Sequence, residues 1–250
     1  FQGILDYELS HGIPPGWVNN CISKTKPFGY WHRLERGEML MDETWFRGFS
    51  SDLQSKELWE VFYATARVRD STLPSKTPAV PNIDGEELFW MMMDISRASD
   101  PWVFPALQKL KASRKYILAA LSNTMIYPPG HPYTTAHSEV REIFDLFISS
   151  AHVGMRKPDP PIYNYAIRAL NEYSLSHGGS SIAASDILFL DDIGENLKTA
   201  RNVGFNTIKV NLGRAFDAVD QLEDITGLKL AGNHPRVPIV SQAMKEAAKL

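Results

Sequence analysis

The sequence predicts an α/β protein in which an all-helical region precedes a parallel sheet. Residues 1–100 contain helical periods separated by Pro and Gly breaks, without a convincing strand pattern. After residue 100, short apolar runs alternate with helical periods, and strands that alternate with helices form parallel sheets with right-handed crossovers. We therefore expect a helical domain over residues 1–99, an α/β core over 100–230 and a C-terminal tail over 231–250.

The helical region contains two well-marked helices. Residues 57–68 carry an apolar stripe at helical spacing, which predicts a buried face. The members of that stripe are Leu58, Val61, Phe62, Thr65 and Val68. Asp84 and Glu87 have the spacing of a capping box, which predicts a helix over residues 86–98.

Aromatic side chains are frequent in this region and have two interpretations. Phe28, Tyr30, Trp31, Phe89 and Trp90 could line an apolar pocket that selects a substrate. They could equally pack the helices against one another.

The α/β region contains four apolar runs that predict strands, over residues 116–121, 144–148, 187–190 and 207–210. Between the second and third runs, Asp159 can cap a helix and Pro160 can open it. The run at 187–190 is short and unbroken, which is typical of a strand that is buried on both faces of a parallel sheet.

Bulk composition excludes several classes of partner. The 250 residues are 44% hydrophobic and 22% charged, which is ordinary for a globular protein. The net charge of −3 predicts no nucleic-acid or membrane partner, and no apolar run approaches the roughly 18 residues of a membrane span. The lone Cys21 cannot form an internal disulfide, which favours a reducing compartment. Because the chain begins with Phe1, we expect it to be a piece of a longer protein.

Two adjacent carboxylates, Asp191 and Asp192, follow the strand predicted at 187–190. Open α/β sheets bind their ligands at the carboxyl ends of strands. Neighbouring carboxylates repel unless a cation or a proton lies between them, and hard oxygen ligands favour Mg²⁺. The alternative is a solvated acidic turn before a helix N-terminus, where negative charge is favourable.

Two further strand ends carry polar side chains, Ser122-Asn123 and Lys157. A hydroxyl and an amide donate hydrogen bonds, an ammonium neutralises negative charge, and carboxylates hold a metal, which together suit phosphoryl transfer. Individually, Ser122 could be an ordinary turn residue and Lys157 a solvated loop lysine. All of these groups are expected at the same edge of the sheet, which favours the functional interpretation.

Three of these sequence motifs resemble those of a known family. Ser-Asn-Thr after one strand, Gly-Met-Arg-Lys-Pro-Asp-Pro-Pro after another, and the run ILFLDDIGENLKTARNVGF are similar to motifs two, three and four of the haloacid dehalogenase-like hydrolase superfamily. The subgroup that contains the N-terminal phosphatase domain of soluble epoxide hydrolase is the most similar. The resemblance implies a three-layer, Rossmann-like core with an all-helical cap.

The resemblance also implies roles at the strand ends. Ser122 and Asn123 would bind phosphoryl oxygens, and Lys157 would stabilise a phosphorylated intermediate. Asp192 would ligate Mg²⁺, with Asp191 and Asn196 supporting it.

The family's first motif, which carries a nucleophilic aspartate, is missing. Asp6 follows an apolar pair, but the residues after it continue a helical pattern. We therefore expect the nucleophile upstream of residue 1, and residues 1–250 alone to be inactive.

The predicted function is that of a Mg²⁺-dependent phosphatase acting on a small phosphate ester through an aspartyl-phosphate. The alternatives are a haloacid dehalogenase-type hydrolase, which needs no metal, and a catalytically inactive binding protein on the same fold. The final Ala248-Lys249-Leu250 differs by one residue from a peroxisomal address, so we expect a cytoplasmic or a peroxisomal location.

Overall fold

The computed structural model describes residues 2–134 and 138–240. The chain divides into two compact units. A helical unit contains the residues up to 34 together with 38–97, and an α/β unit contains 35–37 together with 98–239. The short helix predicted over residues 242–249 and the terminal Ala248-Lys249-Leu250 lie outside the described residues.

Six helices form the part of the helical unit that the structure describes, and that part contains no strand. They are α1 (Gln2–Ser10), α2 (Trp17–Lys24), α3 (Tyr30–Glu35), α4 (Glu43–Leu53), α5 (Lys56–Arg69) and α6 (Gly85–Ile95). The last residue of α3, Glu35, is assigned to the α/β unit. Side-chain caps begin the last three helices. Asp42 accepts a hydrogen bond from the Trp45 amide, and Asp84 accepts hydrogen bonds from two amides in the first turn of α6. The N-terminal cap predicted at Asp84 is therefore present.

The core of the helical unit is aromatic. The Trp45 ring stacks on Phe49 at a centroid distance of 5.3 Å and meets Phe89 edge-on at 5.2 Å. Trp31 and Phe89 are buried in this cluster, whereas Phe28 is 81% exposed. Burial of this apolar area stabilises the helix packing by roughly 25 cal/mol per Å². Trp31 and Phe89 therefore pack the helices together, and Phe28 belongs to no apolar pocket.

The buried face predicted for the fifth helix is only partly right. Leu58 and Phe62 are half-buried, but Val61 and Val68 are 68% and 88% exposed, and the buried residues of α5 are Trp59 and Tyr63. Trp59 meets Trp17 edge-on, with ring centroids 5.0 Å apart. The face of α5 is turned towards its largest aromatic side chains because they remove the most apolar surface from water.

The α/β unit alternates helices with parallel strands. Its strands are β1 (Ala119–Ser122), β2 (Leu146–Ser149), β3 (Leu188–Asp191) and β4 (Asn206–Lys209). Its helices are α7 (Val103–Ser113), α8 (Ser138–Ile143), α9 (Ser150–Val153), α10 (Pro160–Ser176), α11 (Gly194–Asn202) and α12 (Phe216–Thr226). Pro160 opens α10 as expected, but the Asp159 side chain accepts no capping hydrogen bond, so that predicted cap is wrong. Pro160 already supplies the first helical position with a suitable φ angle and no N–H to satisfy.

The strands form two separate parallel pairs. β1 pairs with β2 in a register that joins Ser122 to Ser149, and β3 pairs with β4 in a register that joins Asp191 to Lys209. Among the described residues, β1 and β3 do not pair with each other. Each of these two strands therefore has one edge whose backbone groups belong to no ladder.

Both pairs nevertheless pack against one common cluster. Alternate side chains of β3 point to opposite faces. Leu188 and Leu190 pack in a cluster with residues of α7 and α12, and Phe189 packs in a cluster with residues of α10 and α11. The first pair also contributes to the second cluster, through Leu121 and Ile148. The α/β unit thus has three layers, which confirms the predicted fold class. No helix in the described ranges has the length and apolar character needed to cross a membrane.

Candidate active site

The carboxyl ends of β1 and β3 meet at Lys157. Its Nζ atom donates to Oδ2 of Asp191 at 2.6 Å and lies 5.3 Å from the centre of the Phe189 ring. The Lys157 side chain is 11% exposed and that of Asp191 is 4% exposed. A charge-assisted contact this short and this little solvated fixes the position of the ammonium group. Lys157 is therefore not a solvated loop lysine.

Asp191 is held from three sides. Besides Lys157, its carboxylate accepts from the Ile193 amide at 2.8 Å and from the Asn196 side-chain amide at 3.0 and 3.2 Å. Asn196 is buried, and its backbone carbonyl accepts from the Tyr163 hydroxyl at 2.9 Å. Burial, and then the negative charge of Asp191, raise the pKa of Tyr163 far above its ordinary value, so the hydroxyl stays a donor. The Asp191 carboxylate is thus bound by groups of the protein itself.

Asn123 holds the backbone of Lys157. Its Oδ1 accepts from the Lys157 amide at 2.8 Å, and its Nδ2 donates to the Lys157 carbonyl at 3.0 Å. This two-point pairing uses one of the two N–H groups of the side-chain amide, and the other N–H can still donate to a phosphoryl oxygen. The Asn123 side chain therefore positions Lys157 and keeps one donor for a ligand.

Ser122 ends β1, one residue before Asn123. It is partly buried, and its hydroxyl lies 3.5 Å from the Asn123 carbonyl, which is at the limit of a hydrogen bond. A hydroxyl held this weakly can turn towards another acceptor. Ser122 thus has the freedom that a ligand-binding hydroxyl requires.

Asp192 differs from its neighbour because it is exposed. Within residues 2–134 and 138–240, no three His, Cys, Asp or Glu side chains form a group that could hold a metal ion. Mg²⁺ is commonly held by only one or two carboxylates, completed by waters and a substrate phosphate. The exposed Asp192 carboxylate beside Asp191 fits that smaller donor set, although Asp191 is already paired with Lys157.

Two groups of residues near the site were not predicted. The Thr124 hydroxyl bonds to Ser149 at 2.5 Å, and Ser149 bonds in turn to Nδ1 of the exposed His152 at 2.7 Å. Arg156 forms a buried ion pair with Glu35. The Ser-rich end of β2 is a weak sequence signal for the first group. Nothing in the sequence indicates the second, because its members are separated by 121 positions.

Sequence comparison finds relatives over part of the chain. Bifunctional epoxide hydrolase 2 of Mus musculus is 36% identical over 101 residues, which are 40% of this chain and 15% of that protein. An uncharacterized hydrolase of Schizosaccharomyces pombe is 26% identical over 178 residues, which are 68% of this chain and 70% of that protein. The chain therefore matches well under two thirds of the length of the epoxide hydrolase. No protein-family model matches the chain.

Structure comparison extends over nearly the whole chain. The structure of a dehalogenase with an intermediate complex has a TM-score of 0.50 at 19% identity, and the match covers 92% of this chain and 91% of that one. At this identity the likeness concerns the fold. The chain thus shares its fold with a dehalogenase, and over 40% of its length it is similar in sequence to bifunctional epoxide hydrolase 2. Both findings agree with the resemblance to the haloacid dehalogenase-like superfamily.

Proposed function

We propose that this chain carries most of the active site of a hydrolase that cleaves a small phosphate ester with the help of Mg²⁺. One observation carries the proposal. A little-exposed ammonium group, that of Lys157, is anchored by Asp191 and Asn123 at the carboxyl ends of two strands, with the exposed Asp192 next in sequence. Phosphoryl transfer depends mainly on positioning and on stabilisation of charge, which these groups supply.

Lys157 offsets the negative charge of the transferred phosphoryl group. Because its ammonium is already fixed before substrate binds, little reorganisation is required during the reaction. The Ser122 hydroxyl donates a hydrogen bond to a phosphoryl oxygen, and the Asn123 side chain holds Lys157 in place.

Magnesium would be held by Asp192, with Asp191 and Asn196 behind it. The buried Asn196 amide and the Ile193 amide fix the Asp191 carboxylate, and thereby the turn from which Asp192 projects. When bound, the ion supplies neutralisation of phosphate charge.

The nucleophile is a carboxylate on a further strand that pairs with the free edges of β1 and β3. This part of the proposal is supported by the two strand pairs, which share one apolar cluster but do not join within the residues that the structure describes. Asp6 is not a substitute, because it lies within α1. Attack of the carboxylate on phosphorus releases the alcohol and leaves an aspartyl-phosphate, which water then hydrolyses.

A dehalogenase is the second candidate, because a dehalogenase structure matches the fold over 92% of this chain. Dehalogenation displaces a halide from carbon and needs no metal. The exposed Asp192 beside a second carboxylate favours the phosphatase. A catalytically inactive binding protein is the third candidate.

The discriminating experiment uses the chain extended by the residues encoded upstream of it. Release of phosphate from an aryl phosphate and release of halide from a 2-haloacid are measured side by side. Phosphate release alone supports the proposal. Halide release alone supports the dehalogenase. Absence of both reactions supports the binding protein.

We further propose a cytoplasmic location, with peroxisomal import as the alternative. A fluorescent protein that ends in residues 242–250 tests the alternative. Punctate peroxisomal signal that disappears when the last three residues are deleted would establish import, and diffuse signal in both cases would remove it.

A further inference from the structure

We propose that the buried ion pair between Arg156 and Glu35 positions Lys157. The inference rests on the proposed function, since it assigns Lys157 a role in the reaction. Arg156 directly precedes Lys157 in the chain, whereas Glu35 belongs to the three-residue segment 35–37 that the α/β unit takes from a distant part of the sequence. Both residues are in this one unit.

The pair is built for rigidity. Nε of Arg156 lies 2.7 Å from Oε2 of Glu35, and the terminal Nη2 lies 2.6 Å from the same oxygen. The two residues are only 8% and 6% exposed. A planar guanidinium that meets a carboxylate with two donors is fixed in direction as well as distance.

The same segment also passes close to the helix before Arg156. Gly37 has a φ of +67°, and a Cβ atom there would collide with the backbone carbonyl of Ala151. Ala151 lies in α9, and after that helix the amide of Met155 donates to the Ser150 carbonyl at 3.2 Å. Residues 35–37 therefore lie against α9 at Ala151 and are bonded to the residues that follow it at Arg156.

The backbone at Lys157 is thus held by two sets of contacts. Before it, the Arg156 side chain is anchored to Glu35, and at Lys157 itself the amide and carbonyl are paired with Asn123. The 2.6 Å contact from Lys157 to Asp191 depends on this placement. A misplacement of about 1 Å can slow an enzyme by roughly 10²-fold. Loss of the ion pair should therefore lower the reaction rate by displacing Lys157.

A merely structural role predicts a different response to substitution. Removing one member of a buried pair destabilises a protein strongly, whereas replacing both with hydrophobic groups of similar size is often tolerated. The double variant Glu35→Met/Arg156→Met should therefore recover the stability lost in each single variant. If the pair also positions Lys157, the double variant should recover stability, but the Lys157 amide should remain less protected from hydrogen exchange than in wild type.

Two readouts separate these cases. The first is hydrogen exchange of the Lys157 amide in residues 1–250, which needs no catalytic activity. The second is the kcat and KM of the catalytically active, extended chain. The matched control is Arg214→Met, which removes the exposed ion pair that Arg214 forms with Asp217 at 2.9 Å in the same unit.

For the double variant we expect a wild-type melting temperature and exchange of the Lys157 amide at least about tenfold faster than in wild type. We expect kcat to fall at least about tenfold with little change in KM, since the substrate still binds. The Arg214→Met control should change none of these. Wild-type exchange and wild-type kcat in the double variant would overturn the inference.

Two further variants keep the test decisive. If the double variant does not fold, Arg156→Lys retains the charge but loses the two-donor geometry, and it should accelerate exchange of the Lys157 amide by a smaller factor. Wild-type exchange in Arg156→Lys would then overturn the inference. Wild-type turnover in Lys157→Ala would instead refute the proposed function, while the exchange measurement would still decide whether the pair positions Lys157.

Discussion

Nζ of Lys157 lies 2.6 Å from Oδ2 of Asp191, and the two groups are almost completely removed from solvent. The contact assigns different tasks to two adjacent acids. The Asp191 carboxylate is bound by Lys157, Asn196 and the Ile193 amide. Asp192 is exposed, so its carboxylate can bind a ligand from solvent. Of the two adjacent acids, Asp191 therefore fixes the position of Lys157, and Asp192 presents its carboxylate to solvent.

Loss of the Lys157 ammonium should slow the reaction strongly. In the extended chain, Lys157→Ala should lower kcat by at least about 10²-fold, as removal of a positioned electrostatic group does. Lys157→Arg should not restore the rate, because the guanidinium is larger and fork-shaped. Lys198→Ala, which removes an exposed lysine of α11, serves as the control and should keep the wild-type rate. Wild-type turnover of Lys157→Ala would contradict the assignment.

A methyl group at Gly37 should destabilise the protein. Gly37 and Gly227 have nearly the same backbone, with φ of +67° and +66°, but only Gly37 has a backbone carbonyl where the Cβ atom would be. Gly227→Ala should therefore lower the free energy of unfolding by about 1 kcal/mol, from backbone strain alone. Gly37→Ala should lower it by roughly a further 1–3 kcal/mol, from the collision. Denaturant unfolding of both variants measures the difference, and equal losses would contradict it.

Glu8 should make the stability of the chain depend on pH. Its carboxylate accepts from the amides of Gly16 and Val18 at 2.7 and 2.8 Å. Burial raises its pKa above the ordinary 4.5, and these hydrogen bonds offset only part of the rise. The folded state then binds more protons than the unfolded state between 4.5 and the raised pKa.

The contribution of Glu8 to the free energy of unfolding should therefore fall as the pH rises through that window. Unfolding of wild type and of Glu8→Gln at several pH values from about 4 to 7 measures it by difference. Glu60→Gln, at an exposed position of α5, is the control and should not alter the pH profile. A wild-type stability that rises with pH relative to Glu8→Gln would contradict the sign.

Strand ends could be predicted from the sequence because the signals are local. Apolar runs mark β2 and β3, and the polar residue that follows marks the carboxyl end of each strand. Lys157 comes after β2 and the short α9, so its place beside Asp191 depends on the folded chain. Likewise, the ion pair of Arg156 with Glu35 joins residues 121 positions apart, and only the folded chain brings them together.

Two errors have related physical causes. The stripe of Val61 and Val68 had helical spacing, yet Trp59 and Tyr63 determine which face of α5 is buried. Periodicity identifies an amphipathic helix but does not weigh its side chains against the neighbours they meet. The occupation of the Asn123 amide by Lys157 was not predictable for the same reason, since it depends on a tertiary contact.

The separate strand pairs lead to a prediction about residues 1–250 alone. If the nucleophile lies on the proposed strand between β1 and β3, turnover of an aryl phosphate by residues 1–250 should not exceed background. Extension with the upstream residues should restore it. If residues 1–250 alone hydrolyse the ester at the rate of the extended chain, the nucleophile is among them and the proposed strand is not required.

The central claim is that Asp192 holds a magnesium ion for phosphate-ester hydrolysis. Its most direct test is the rate of aryl phosphate hydrolysis by the extended chain, in wild type and in Asp192→Asn, each with Mg²⁺ and with EDTA. We predict that wild type turns over only with Mg²⁺, and that Asp192→Asn loses at least about 10²-fold in kcat at the same Mg²⁺ concentration. Full activity in EDTA, or in Asp192→Asn, would contradict the claim.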